Sequence, residues 1–155
     1  MREPITETLE FKGYVWEGNS QNIPEKVCGV YCAYACKHNK LTNEWVGSDI
    51  VYFGKSGGDV RGRVNDHKKA GDTARKTLQK GEGLLYCYAE TDHEEECEKA
   101  LVAAHSNLPR LANDKLTGGY KGPVIHLTIT GASFGICGQI DFDEVTEKEF
   151  TSTKG

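Results

Sequence analysis

Between Val27 and Cys36 the chain reads VCGVYCAYAC, a run whose composition predicts a strand. A period of two places Cys28, Val30, Cys32, Tyr34 and Cys36 on one face and Val27, Gly29, Tyr31, Ala33 and Ala35 on the other. Tyr31 is then the one large group on a face of small residues, which leaves room for something to approach it. KHNKLTNEWVGS predicts a loop, Asp49 to Gly54 a second strand hairpinned to the first, and GKSGGD a turn. A helix is predicted from about Asp59 to Gly71, with Val60, Val64 and His67 as its inner stripe, and a short second helix over Asp72 to Gln79. Leu84 to Ala89 predicts a third strand. Thr91 and Glu94 have capping-box spacing at the head of the longest helix, whose buried stripe is Cys97, Leu101, Ala104 and Leu108 and which Pro109 closes. Val124 to Thr130 and Ile136 to Phe142 alternate on either side of the turn GASFG, predicting a terminal β-hairpin. Residues 1–24, with Phe11, Tyr14 and Trp16, are expected to form an irregular arm. The sum is an α/β layer fold in one domain, a small three-stranded antiparallel sheet flanked by helices with a C-terminal hairpin added. Its core would span about 27–113, with an arm over 1–26 and an extension over 120–155.

Length and composition agree with one soluble domain: 155 residues, 37% hydrophobic and 27% charged. The opening ten residues hold three glutamates and no apolar run, unlike a signal peptide, and no stretch approaches the ~18 apolar residues of a membrane span. A reducing cytoplasmic setting is therefore expected. There the six cysteines, which lack paired C-x-x-C spacing, are expected to serve mainly as small buried hydrophobes.

The net charge of −4 does not favour a nucleic-acid partner, but the charge is unevenly spread. Lys55, Arg61, Arg63, Lys68, Lys69, Arg75, Lys76 and Lys80 face only Asp59, Asp66 and Asp72 within residues 55–80, leaving +5 there. Acid collects at Glu90 to Glu98 and Asp141 to Glu149. A basic face on an acidic body can bind a polyanion, because the local field decides.

Phosphodiester hydrolysis requires a base for water, cationic groups near the non-bridging oxygens, and help for the leaving oxygen. Tyr31 and Tyr52 lie on strands expected to be adjacent, where side chains come within a few ångströms. Arg63 projects from the next helix with a fork suited to phosphate. Glu98, early on the later helix, offers a carboxylate to a divalent metal. Taken singly these residues have plainer readings: half-buried strand tyrosines, a surface arginine, a glutamate favoured by a helix N-terminus, a core histidine at His67.

As an ordered set they resemble the GIY-YIG nuclease superfamily. Gly29-Val30-Tyr31 is similar to the GIY element, and Tyr52-Phe53-Gly54 followed by Lys55 to the YIG element. Arg63 and His67 match the family's R-x-x-x-H helix, Glu98 with Leu101 its E-x-x-L-I helix, and Pro109 with Asn113 its closing P…N element. The match covers residues 27–113. The resemblance implies an endonuclease using one divalent ion, Mg²⁺ or Mn²⁺, held by Glu98 and acting on DNA. It implies Tyr31 as general base, with Tyr52, Arg63 and His67 holding phosphate or water. Lys55, Arg61, Lys68, Lys69 and Asn113 become candidate substrate-binding residues. The chain departs from the family in three places. The insertion between the two tyrosine elements is unusually long. The turn GKSGGD before the first helix is longer than the family's by one residue, so Arg61 rivals Arg63, with the spacing to His67 favouring Arg63. Asn113 comes late, and Asn107 competes with it. A monomer would nick one strand, whereas a homodimer through the apolar face of the terminal hairpin would cut both. A non-catalytic nucleic-acid-binding or scaffold module is the alternative.

Overall fold

The computed structural model describes residues 3–113 and 119–143. The C-terminal part of the expected extension, with the acidic residues from Glu144 to Glu149, lies outside them. One sheet organises the rest. Its strands are β1 (Ile5–Trp16), β2 (Gly29–Asn39), β3 (Glu44–Ser56), β4 (Gly83–Glu90), β5 (Ile125–Gly131) and β6 (Gln139–Phe142). They stand in the order β3-β2-β4-β1-β5-β6. Two α-helices, α1 (Val60–Asp66) and α2 (Glu94–Ala104), and two 3-10 turns (Glu17–Asn22 and Arg75–Thr77) complete the described elements.

This corrects the expected small three-stranded sheet flanked by helices: the sheet is six-stranded and mixed, and helix is the minor component. The supposed arm is responsible. In β1 the buried Ile5, Leu9 and Phe11 alternate with exposed Thr6, Thr8, Glu10 and Lys12, but Glu7 interrupts the apolar face and conceals the period. Its first half pairs parallel with β5, from Ile5↔Ile125 to Phe11↔Gly131, and its second half antiparallel with β4, from Lys12↔Tyr88 to Trp16↔Leu85. β1 thus welds the expected core to the terminal hairpin. That hairpin forms where expected, with β5 and β6 antiparallel in register Ile125↔Phe142. Its apolar face, Ile125, Leu127, Ile129 and Ile140, is buried in the chain's own core, so it is not a free dimer surface.

The long insertion between the tyrosine elements is not a loop but more hairpin. β2 and β3 pair out to His38↔Trp45 and Asn39↔Glu44. Asn39 Oδ1 accepts the Leu41 backbone N–H at 2.9 Å within the tight turn. Most of residues 37–49 are exposed, so burial never wrote a period into them. Trp16 and Trp45 stack on each other at 3.5 Å between ring centroids.

Each face of the sheet carries a core. Val30, Cys32, Tyr34, Cys36, Phe53 and Cys87 pack with β1, β5, β6 and the stripe of α2, where Cys97 and Leu101 are fully buried. All six cysteines are free thiols; burial pushes Cys36 and Cys97 up to about 12, so both remain protonated core groups as expected. The opposite core joins Tyr31, Ala33, Ala35, Val51, Tyr86 and Tyr88 to Val60 and Val64 of α1. The cap of α1 is Asp59, whose carboxylate accepts the Gly62 N–H at 3.0 Å. The head of α2 differs from the expected capping box. His93 is its N-cap and gives no side-chain capping bond, its ring instead meeting Glu7, while Thr91 Oγ accepts the His93 N–H at 3.0 Å and its hydroxyl donates to Glu7. Thr91 therefore shapes the approach to α2 from outside. Of the expected short helix over Asp72 to Gln79, only the 3-10 turn Arg75–Thr77 forms.

Candidate active site

Tyr31 sits mid-strand in β2, paired across to Gly54 of β3. A methyl at Gly54 would stand 2.6 Å from Tyr31 Cε1 and closer still to its Cζ and hydroxyl. The glycine of Tyr52-Phe53-Gly54 is therefore required by the ring of the other tyrosine element, which lies flat across it. Gly54→Ala should destabilise the fold by about 1–3 kcal/mol in denaturant unfolding, the usual cost of overpacking a filled site. An unfolding midpoint equal to wild type would show that the ring can move aside.

Tyr52 lies two residues before Gly54, its ring centroid 6.3 Å from that of Tyr31 and 5.0 Å from that of His67. His67 caps the C-terminus of α1 and turns inward to the same place. The Tyr31 hydroxyl lies 2.6 Å from His67 Nε2, and His67 Nδ1 lies 2.9 Å from each oxygen of Asp72. A carboxylate accepts only, so Nδ1 carries a proton, and in the neutral ring Nε2 is left to accept from the Tyr31 hydroxyl. Both ring nitrogens of His67 are thereby engaged, so His67 acts on Tyr31 rather than on phosphate. The loop between is tied down by Arg75. Its backbone N–H donates to Asp72 at 3.1 Å, its Nε–H to the His67 carbonyl at 2.7 Å, and its guanidinium pairs with the buried Glu17. Glu17 in turn accepts the Leu84 N–H at 2.9 Å.

Glu98, one turn into α2, reaches the other side of Tyr52. The two line a cleft of about 330 Å³ with Thr73, Lys99, Val102 and Asn113. Glu98 is half-buried, and among the described residues no hydrogen bond or ion pair reaches its carboxylate. Burial raises its pKa, with Lys55, Lys99 and Arg63 opposing. Burial likewise raises Tyr31, Tyr52 adds to the shift, and Arg63 works against it. The charges acting on the Tyr31 hydroxyl include those of Arg63, Glu98 and Asp72, so residues from β2, α1, α2 and the loop after α1 converge there.

The rival assignments separate on contacts. Arg63 is exposed and lines an adjoining recess with Lys55, Ser56, Gly57 and Glu94. Arg61 instead donates to the carbonyls of Ile23 (2.6 Å) and Gln21 (2.8 Å) and pairs with Glu25 at 3.1 Å, stapling the 3-10 turn to α1. Lys55 lies 3.8 Å from Glu95 at the cleft rim. Lys68 and Lys69 are exposed beyond α1, with Lys69 3.6 Å from Asp66. Asn113 lines the cleft, yet its amide is spent on β3. Its Oδ1 accepts the Phe53 N–H and its Nδ2 donates to the Phe53 carbonyl, both at 2.8 Å. β3 is an edge strand, and Asn113 satisfies backbone groups that pairing leaves open. Its role is therefore structural, and Asn107 is exposed elsewhere.

Asp72, Arg75, Glu17, Lys99 and Tyr86 join the site without having been singled out in the sequence. Tyr86 packs its ring 6.0 Å from Tyr31, and its hydroxyl is buried without a partner among the described residues. The spacing of Asp72 to His67, five residues, was the one available signal, and it means nothing until the chain turns there. No family model, curated protein or solved structure matches the chain. No helix among the described residues is long and apolar enough to cross a membrane.

Proposed function

We propose that this chain is a divalent-metal-dependent endonuclease that hydrolyses phosphodiester bonds in DNA by GIY-YIG-type chemistry. The observation that carries the reading is the grouping of Tyr52 and Glu98 in one cleft, with Tyr31 and His67 packed behind the Tyr52 ring and the charge of Arg63 acting on both Tyr31 and Glu98, from positions spread over residues 31–98. A fold has no structural need to set a half-buried carboxylate, unpaired among the described residues, beside a tyrosine in a cleft.

Glu98 suits a hard cation: it is an oxygen donor that burial penalises and that, among the described residues, no cationic side chain contacts directly. Among the described residues no three His, Cys, Asp or Glu side chains cluster as a ligand set, so Mg²⁺ or Mn²⁺ there would be held by Glu98 with water completing its shell. Such an ion supplies positive charge to the phosphate as negative charge builds in the transition state. Around it the chain's own residues divide the work. Tyr31 takes the proton of the attacking water. Tyr52 orients water or phosphate beside it, Arg63 offers its fork to the non-bridging oxygens, and Lys55 adds field at the rim.

A second reading, a nucleic-acid-binding module without catalysis, is favoured by one observation: Tyr31 is only 1% exposed and His67 only 6%. In that reading the Tyr31–His67–Asp72 chain is a buried clamp. Digestion of supercoiled plasmid with Mg²⁺ or Mn²⁺, against EDTA and with Tyr31→Phe alongside, separates the two. Metal-dependent nicking that falls about 10²–10⁴-fold in the variant, the usual range for a general base, is the expected result. Full activity in Tyr31→Phe would remove Tyr31 from the chemistry, and no cleavage of plasmid, single-stranded DNA or RNA would favour the binding module.

A further inference from the structure

We infer that Asp72 is a positioning residue that fixes the tautomer of His67, so that His67 can receive the proton of Tyr31 when Tyr31 acts as base; this rests on the nuclease reading. The difficulty it answers is physical. Burial disfavours a Tyr31 phenolate, and the nearby Tyr52 disfavours it further, so a lone phenol there is a poor base at neutral pH. A phenol that hands on its own proton as it takes one from water never has to exist as a free anion. That requires an unprotonated nitrogen at hydrogen-bond distance from its oxygen, held there before the reaction begins.

The geometry meets each requirement. Tyr31 Oη and His67 Nε2 are 2.6 Å apart, and on the ring's other side, among the described residues, the carboxylate is that of Asp72, both of whose oxygens lie 2.9 Å from Nδ1. With the Nδ1 proton held by Asp72, Nε2 is left as the acceptor. Asp72 is itself fixed by the Arg75 backbone N–H, and the same Arg75 grips the His67 carbonyl through Nε. The loop from His67 to Arg75 thus closes on itself, setting carboxylate and imidazole in one rigid unit, anchored to the sheet through Glu17 and Leu84.

The proton count balances. As the water oxygen bonds to phosphorus, its proton passes to Tyr31, and the proton of Tyr31 passes to His67 Nε2. The imidazolium so formed is stabilised by the Asp72 carboxylate. The bond from phosphorus to the leaving oxygen breaks, that oxygen takes a proton from solvent, and His67 returns its surplus proton to solvent through Tyr31. One water is consumed for each bond cut.

The test pairs single-turnover cleavage with ¹⁵N-histidine NMR on wild type, Asp72→Asn and Asp72→Glu. Wild-type His67 should show Nδ1 protonated and Nε2 bare, with no substrate needed. Asp72→Asn should lose that tautomer and slow cleavage about 10²–10⁴-fold with DNA affinity within about twofold, the pattern of a lost triad carboxylate; Asp72→Glu should restore part of both. A clamp that served stability alone would lower the melting temperature of Asp72→Asn and leave its rate per folded molecule unchanged, which would overturn the inference. A wild-type protein that cuts nothing would overturn the nuclease reading and this inference together. An active wild type with an equally active Asp72→Asn would overturn this inference alone.

Discussion

Changing Glu98 to glutamine is expected to reduce cleavage by at least about 10³-fold and, at pH 7, to make the protein melt at a higher temperature. The first effect follows from losing the one carboxylate fit to hold the metal, since an ion on a phosphoryl oxygen contributes several kcal/mol in the transition state and each 1.36 kcal/mol is tenfold. The second follows from its surroundings. Burial holds the Glu98 carboxyl above its ordinary pKa, even with Lys55, Lys99 and Arg63 opposing. The folded state therefore binds that proton more tightly than the unfolded chain does. Glu98 favours folding below its unfolded pKa, and this contribution is lost as pH rises through the folded value. At pH 7 the ionised group is a burden that the neutral amide removes. The gain from Glu98→Gln should accordingly fade below about pH 4, where wild-type Glu98 is protonated in both states. Calorimetry at both pH values, with and without Mg²⁺, reads the whole pattern. Mg²⁺ should raise the melting temperature of wild type and leave the variant unmoved. A variant that melts lower than wild type at pH 7 would mean that the carboxylate stabilises the fold, and the metal assignment would lose its physical basis.

The faces on which the candidate residues lie were more legible than the architecture that holds them, and particular residues show why. Tyr31, Tyr52 and Glu98 stand on segments whose period is readable, namely buried β2, the inner end of β3 and the Cys97–Leu101 stripe of α2, and His67 continues the Val60–Val64 stripe as the C-cap of α1. A side chain's face follows directly from such a period. β1 is a strand of twelve residues that reads as none, because Glu7 occupies its inner face and finds its partners, Thr91 and His93, more than eighty residues away. No local pattern encodes a partner at that separation. The outer half of the β2–β3 hairpin was hidden for the opposite reason, being too exposed to alternate. Asp72 and Asn113 mark the limit from the side of function. Both are polar residues in irregular segments, and which one serves the active site depends on what the chain brings opposite: His67 for Asp72, the open edge of β3 for Asn113.

Arg63→Ala and Arg61→Ala should part company, the first losing rate and the second losing stability. The two stand two residues apart, on opposite sides of a helix of seven residues, and the sequence offered either as the phosphate ligand. Arg63 is exposed in the recess it lines with Lys55 and Glu94, and its charge acts on both Tyr31 and Glu98. Removing it should slow cleavage about 10²–10³-fold, the usual cost of one charge-stabilising donor, and shift stability by no more than about 0.5 kcal/mol. Arg61 spends its guanidinium on two backbone carbonyls and Glu25. Removing it leaves those carbonyls without their donor and should cost about 1–3 kcal/mol of stability, with the rate per folded molecule retained. Each variant controls for the other, since both delete the same charge from the same helix and should weaken non-specific DNA attraction alike. The reversed outcome, in which Arg61→Ala slows cleavage and Arg63→Ala unfolds the protein, would shift the register of the site by two residues and detach Arg63 from Tyr31. If both variants cut at the wild-type rate, neither arginine meets the transition state, and the phosphate must then be held by Lys55 or Lys99 across the cleft rim.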